Sequence, residues 1–180
     1  APEANTNNGT ILKAGSLKVF DLQNNFWIQN TQVIEGLSPF ELLGTSVSMS
    51  RKGDIIAFGS PGYVRTTVSG TTLTTSNVGK TSVYRYRDNV WGLMGNNIED
   101  GTIEKRNAYS ISLSTDGNSI AVGSESGGGV RVYNFHVEDW RPLGSQISGT
   151  FGKSVSLSGN TVVIGSEDVN NGRVHIYNFT

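Results

Sequence analysis

Three short strand-like runs separated by turns recur along this chain, and the recurrence limits its fold more than any other feature. The stretch Phe151 to Phe179 is the most complete copy. Its serine-rich run Ser154-Val155-Ser156-Leu157-Ser158 matches Ser110-Ile111-Ser112-Leu113-Ser114 and Ser46-Val47-Ser48-Met49-Ser50. Its second run, Val162-Val163-Ile164-Gly165-Ser166, matches Ile120-Ala121-Val122-Gly123-Ser124 and Ile56-Ala57-Phe58-Gly59-Ser60. Its third, Ile176-Tyr177-Asn178-Phe179, matches Val132-Tyr133-Asn134-Phe135, Val83-Tyr84-Arg85-Tyr86 and Val19-Phe20-Asp21-Leu22. A tryptophan follows the first three copies of that third run, at Trp27, Trp91 and Trp140. Several strands within a period of roughly 40–50 residues mark a propeller or a similar array.

The second run alternates large and small. Ile56 and Phe58, Ile120 and Val122, and Val162 and Ile164 form a large face; Ala57, Ala121 and Val163 alternate with them beside glycine. Neither face carries charge, so each strand is expected to be buried on both sides, with large residues of one sheet filling the shallow face of the next. Turns at Arg51-Lys52-Gly53-Asp54, Thr115-Asp116-Gly117-Asn118 and Ser158-Gly159-Asn160 join the first run to the second, with glycine supplying positive φ. The connection after the second run varies most: it is a long Thr/Ser-rich loop over 61–80 in one copy and a few residues in the others. Variable loops on a repeated frame are where binding usually resides. Residues 1–14 form a polar N-terminal segment, mobile over the first nine, with Thr10 to Ala14 as a closing strand; residues 15–180 hold the repeats. No segment has sustained helical periodicity, and Ile98 to Ala108 holds at most one helical turn.

Composition removes several function classes. Fourteen basic and fifteen acidic residues nearly cancel, so no basic field collects nucleic acid or an anionic membrane. With no cysteine, disulfides, thiolate metal sites and thiol catalysis are excluded. No apolar run approaches the ~18 residues that span a bilayer, so membrane insertion is not expected. Ala1-Pro2-Glu3-Ala4 lacks an initiator Met and reads as a processed or trimmed terminus. Asn8-Gly9-Thr10 and Asn178-Phe179-Thr180 are N-glycosylation sequons. Together these features favour a secreted, cell-surface or organelle-lumen location and a glycoprotein.

At Phe151-Gly152, at Gly59-Ser60-Pro61 and at the Val-Tyr-x-Phe runs that precede tryptophan, the chain resembles the FG-GAP repeat family, the blades of integrin-α-type β-propellers. The resemblance covers nearly the whole chain from residue 15. It implies an all-β propeller, or propeller segment, of four-stranded antiparallel blades: roughly three blades plus partial terminal strands. Family blades often carry a calcium loop, and here Glu167, Asp168 and Asn170 come nearest to one. Calcium takes six to eight oxygen ligands, which these three do not supply. Closed propellers have four to eight blades. The chain is therefore expected to close with further copies of itself, with a protein partner or with more of a longer protein, or to pair its two terminal segments.

No catalytic signature stands out. His136 and His175, the two histidines, are too few for zinc without cysteine. Glu99, Asp100, Glu104, Glu125, Glu138, Asp139, Glu167 and Asp168 are carboxylates, but no spacing selects a glycosidase pair. The serines fall in repeated structural runs, and no glycine-rich loop opens a helix. Trp27, Trp91 and Trp140 recur in phase, as packing residues do, although tryptophan faces also stack on sugar rings. The reading of the sequence is a non-catalytic structural or protein-interaction module, with neither enzymatic activity nor cofactor. The alternative is a carbohydrate-binding, lectin-like module that uses the repeated tryptophans and variable loops.

Overall fold

The computed structural model is all-β and describes residues 1–7, 9–99, 106–125, 127–149, 152–166 and 172–179. The first sheet is the hairpin β1 (Ser16–Gln23) and β2 (Phe26–Glu35). The second sheet contains β3 (Ser46–Met49) and β4 (Ile55–Ser60). A separate hairpin follows, β5 (Val64–Ser69) and β6 (Thr72–Asn77), before β7 (Lys80–Arg87) and β8 (Val90–Leu93) complete the second sheet in the order β3-β4-β7-β8. The third sheet repeats that order with β9 (Ser110–Leu113), β10 (Ser119–Gly123), β11 (Val130–His136) and β12 (Asp139–Pro142). The fourth holds β13 (Ser154–Ser158), β14 (Thr161–Ser166) and β15 (Arg173–Asn178). All pairings within these sheets are antiparallel.

Successive sheets stack face to face, as the two-sided burial pattern requires. Ile56 and Phe58 on one face of β4 meet Leu17, Val19 and Ile34 of the first sheet. Ile55 and Ala57 on its other face, with Val83, meet Ile111, Leu113, Ile120 and Val122 of the third. Ala121, Val130 and Val132 then meet Leu157, Val162 and Ile164 of the fourth. Every residue of β4 is buried. Complete burial of Phe58 alone contributes about 1.5–3 kcal/mol by apolar transfer. Among the described residues, apolar clusters join first to second, second to third and third to fourth sheet, and none joins the fourth to the first.

The serine runs lace the sheets together. The Leu113 amide donates to Ser48 Oγ at 2.9 Å, and one sheet further on the Leu157 amide donates to Ser112 Oγ at 3.0 Å. Ser46 Oγ donates to the Ala108 carbonyl at 3.0 Å, and Ser110 Oγ to the Gly152 carbonyl at 2.6 Å. A short side chain with both a donor and an acceptor lets inner strands approach this closely while satisfying buried backbone groups. Gly59 and Gly123 sit at these crossings, where a Cβ would meet the backbone of Ala108 and of Gly152.

Two expectations about connections are corrected. The 61–80 stretch is not an irregular loop: β5 and β6 pair in register, Thr66 opposite Thr75 and Thr67 opposite Thr74, as a largely exposed hairpin. Its threonines are β-branched and suit a strand. Thr10 to Ala14 is not a strand. Ile11 makes one isolated bridge to Thr6, and Lys13 takes positive φ in a turn. In the segment before it Thr6 is buried, and its Oγ1 donates to the Gly36 carbonyl at 3.0 Å. Of the Ile98-to-Ala108 stretch, residues 100–105 lie outside the described residues.

A buried ion pair braces the segment leading into β3. Glu41, 1% exposed, receives Lys80 Nζ at 2.7 Å on one carboxylate oxygen. Its other oxygen accepts the amides of Leu37 and Ser38, at 2.9 and 3.2 Å. Lys80 also lies over the Tyr63 ring, 4.3 Å from its centroid.

Candidate functional site

The turns between the first and second runs of the second, third and fourth sheets lie side by side at one end of the stack. Together with the end of β7 they enclose a cleft of about 830 Å³, within the ordinary range for small-molecule sites. Each turn is built by its own sequence. Ser50 Oγ donates to Asp54 Oδ1 at 2.9 Å and accepts the Ile55 amide at 3.1 Å. Ser114 Oγ donates to Asp116 Oδ1 at 2.6 Å and accepts the Ser119 amide at 2.9 Å. Gly53 and Gly117 close these turns with φ near +73° and +76°. The Arg51 amide donates to the Thr115 carbonyl at 3.0 Å, fixing one turn against the next. Amides of the third strands brace the turns from behind: Tyr86 to Asp54 at 2.8 Å and Phe135 to Asn118 at 2.8 Å.

The lining combines four cations, Arg51, Lys52, Arg85 and Arg87, with two carboxylates, Asp54 and Asp116. None of the four cations makes an ion pair among the described residues, although Lys80 and Arg106 do elsewhere. The carboxylates are engaged in holding the turns. Asp116 accepts from the Ser114 hydroxyl, the Asn118 amide and the Asn118 side chain. The Ser114 hydroxyl first, and then the Asn118 amide, hold its carboxyl below the ordinary range, so it stays ionised. Arg85 lies over the Phe135 ring, 5.8 Å from its centroid; guanidinium groups without a carboxylate partner, beside hydroxyls and amides, suit recognition of an anionic oxygen group such as phosphate. Thr115, Asn118 and Asn160 supply uncharged polar groups in the same cleft.

The sequence-predicted residues fall elsewhere. Trp91 and Trp140 are only 4% and 7% exposed, which corrects their assignment as glycan-stacking faces. The Trp140 ring packs 5.2 Å from Phe135 and its Nε1 donates to the Met94 carbonyl at 2.8 Å. Trp91 lies against Tyr86 at 5.1 Å, and the Gln32 side chain clamps its backbone amide and carbonyl at 2.7 and 3.0 Å. Trp27 is exposed at the far edge of the first sheet. Asn178 is on β15, where its Oδ1 accepts from Thr161 Oγ1 at 2.8 Å. Asn8, Glu167, Asp168 and Asn170 lie outside the described residues. His136 and His175 stand on different sheets, at β11 and β15. The cleft cations were missed, yet the sequence carries a trace of them: Arg85 stands where the later copies have Asn134 and Asn178. A departure from a repeat marks a position that packing does not dictate.

No protein-family model matches the chain, and no curated protein matches it. Among solved structures, the chain is similar to one from Bacteroides uniformis named as a putative 6-phosphogluconolactonase, with a TM-score of 0.60 and 18% identity. The match covers 90% of this chain and 44% of that one, so the present chain spans less than half its length. This likeness corrects the expectation of a non-catalytic structural or interaction module, together with its lectin-like alternative. An arrangement of sheets like this one also occurs in a protein named as an enzyme, so the repeat is no sign of a non-catalytic role. Repetition records how strands pack, and leaves the turns at their ends free to carry a site.

Proposed function

We propose that the chain is a segment of a β-propeller of four-stranded blades whose turn-end cleft binds an anionic small molecule. A phosphorylated sugar acid or its lactone is the best-fitting class. The observation that carries this reading is the cluster Arg51, Lys52, Arg85 and Arg87 around one cleft, without ion-pair partners among the described residues. The structural likeness to a protein named as a putative 6-phosphogluconolactonase supports the choice of ligand class. In this reading Arg85 and Arg87 face the phosphate, and Thr115, Asn118 and Asn160 meet sugar hydroxyls. In lactone hydrolysis, water adds to the ring carbonyl and the ring C–O bond breaks to give the free acid. A guanidinium placed at the carbonyl oxygen would stabilise the developing oxyanion.

Titration calorimetry with 6-phosphogluconate, paired with a pH-stat assay of lactone hydrolysis above the buffer rate, tests the proposal. Saturable binding is expected, weakened at least tenfold in Arg85→Ala/Arg87→Ala. Equal affinity for unphosphorylated gluconate, or no binding, would refute it.

A further inference from the structure

The β5–β6 hairpin forms a sheet of its own, largely exposed on both faces. A two-stranded ribbon alone is marginally stable in water. Near its base the Val78 and Gly79 amides donate to the Tyr63 carbonyl, both at 3.2 Å, and Arg65 pairs with Glu99 at 3.5 Å. Elsewhere the chain guards its sheet edges with short strands, charge, proline and bulges. β12 has four residues and ends in Arg141-Pro142, β15 carries Arg173 and His175, and the β1–β2 pairing shifts register between Lys18 and Phe20. β6 has none of these devices. Thr72–Asn77 contains no charge and no proline, and it pairs with β5 in six consecutive steps without a shift. The backbone also fixes which of its groups face outward. The Val78 amide bonds to Tyr63, and bonded and non-bonded pairs alternate along an antiparallel ladder. Counting back along the register, Ser76, Thr74 and Thr72 turn their amides and carbonyls towards β5, and Leu73 and Thr75 turn theirs to the open edge.

We propose that this edge is a self-association surface, on which β6 pairs antiparallel with β6 of a second copy of the chain. The two hairpins then form one continuous sheet, β5-β6-β6-β5, about a twofold axis. Leu73 of each copy meets Thr75 of the other, about four backbone hydrogen bonds form, and Thr74 faces its own counterpart across the axis. A second copy fits this edge for reasons of charge, register and face. The edge is uncharged and meets itself without repulsion, whereas joining through β5 would bring Arg65 towards its counterpart. Its outward groups are self-complementary when the pair is centred on Thr74. Val68 and Leu73, 70% and 66% exposed, stand opposite each other on the face that Val64 also occupies. Pairing in this register carries that face across both copies. It supplies the additional strands and the shared apolar face that a sheet of this kind needs.

Sedimentation velocity on the whole chain tests this. A reversible dimer is expected at micromolar concentration, and Thr75→Pro, which removes an outward amide from β6, should weaken it at least tenfold. Thr66→Pro makes the same change on the outward edge of β5 and should leave the dimer intact, so damage to the hairpin is told apart from loss of the edge. The chain has no cysteine. Thr74→Cys should therefore give a disulfide-linked dimer on mild oxidation with diamide, whereas Thr67→Cys, opposite it on β5, should run as a monomer on denaturing gels. A monomeric wild type would overturn the proposal. So would a dimer lost with Thr66→Pro but kept with Thr75→Pro, or one indifferent to both, since the contact would then lie elsewhere. If both proline variants are monomeric, the Thr74→Cys cross-link decides: its formation supports the proposal and its absence overturns it.

Discussion

Removing the hydroxyl of Ser112 should destabilise the chain, while removing that of Ser156 should not. The two serines hold the same place in successive copies. Ser112 Oγ accepts the amide of buried Leu157 at 3.0 Å, and Ser48 Oγ does the same for Leu113 at 2.9 Å. In Ser112→Ala or Ser48→Ala a buried amide loses its acceptor where water does not readily replace it. Such an orphaned donor costs about 1–3 kcal/mol. Ser156 is exposed, and among the described residues its hydroxyl meets no partner. Its alanine variant should stay within about 0.5 kcal/mol of wild type, as surface changes usually do. Urea unfolding followed by circular dichroism measures all three, at constant m-value so that the midpoint reports stability. Equal losses at Ser112 and Ser156 would refute the hydroxyl lacing, since the effect would then be a property of serine in these strands.

The same logic extends to glycine: Gly123→Ala drives a Cβ into the Gly152 backbone, whereas at Gly165 the nearest atom is Ser154 Cβ at 3.4 Å. Thermal melting should show a large loss for the first, about 1–3 kcal/mol or more, and a small effect for the second. Glu41→Ala strands the largely buried Lys80 ammonium and two backbone amides, and should cost about 3–5 kcal/mol. In a double-mutant cycle with Lys80→Met the losses should be less than additive; additive losses would contradict the pairing. The lowered pKa of Asp116 contributes stability above the ordinary carboxylate range and loses it as pH falls through the folded value. Asp116→Asn should therefore have a shallower acid limb of stability against pH, and an unchanged limb would contradict that contribution.

Much of the framework was legible because the repeat states it several times. The alternation in Ile56-Ala57-Phe58 announces a strand buried on both faces, and β4 is one. The serine runs sit where inner strands approach closely, although their cross-sheet hydrogen bonds need the neighbour's position, which no local pattern contains. The in-phase tryptophans pointed to packing, and Trp91 and Trp140 pack; Trp27 shares the motif yet stays exposed. The β5–β6 hairpin was illegible because its faces are mostly solvated, so its threonines alternate with nothing. Glu41 looked like one more loop carboxylate, because its partner Lys80 comes from a distant strand. The cleft escaped for a related reason. Arg51 and Arg85 are far apart in sequence, and only the stacking of sheets brings turn and strand end together.

The most direct test of the proposed function is an amide chemical-shift titration of the intact chain with 6-phosphogluconate. The account predicts saturable shifts concentrated at 51–54, 85–87 and 115–118, and absent with gluconate. Shifts scattered over the surface, or centred on the β5–β6 hairpin or Trp27, would contradict it.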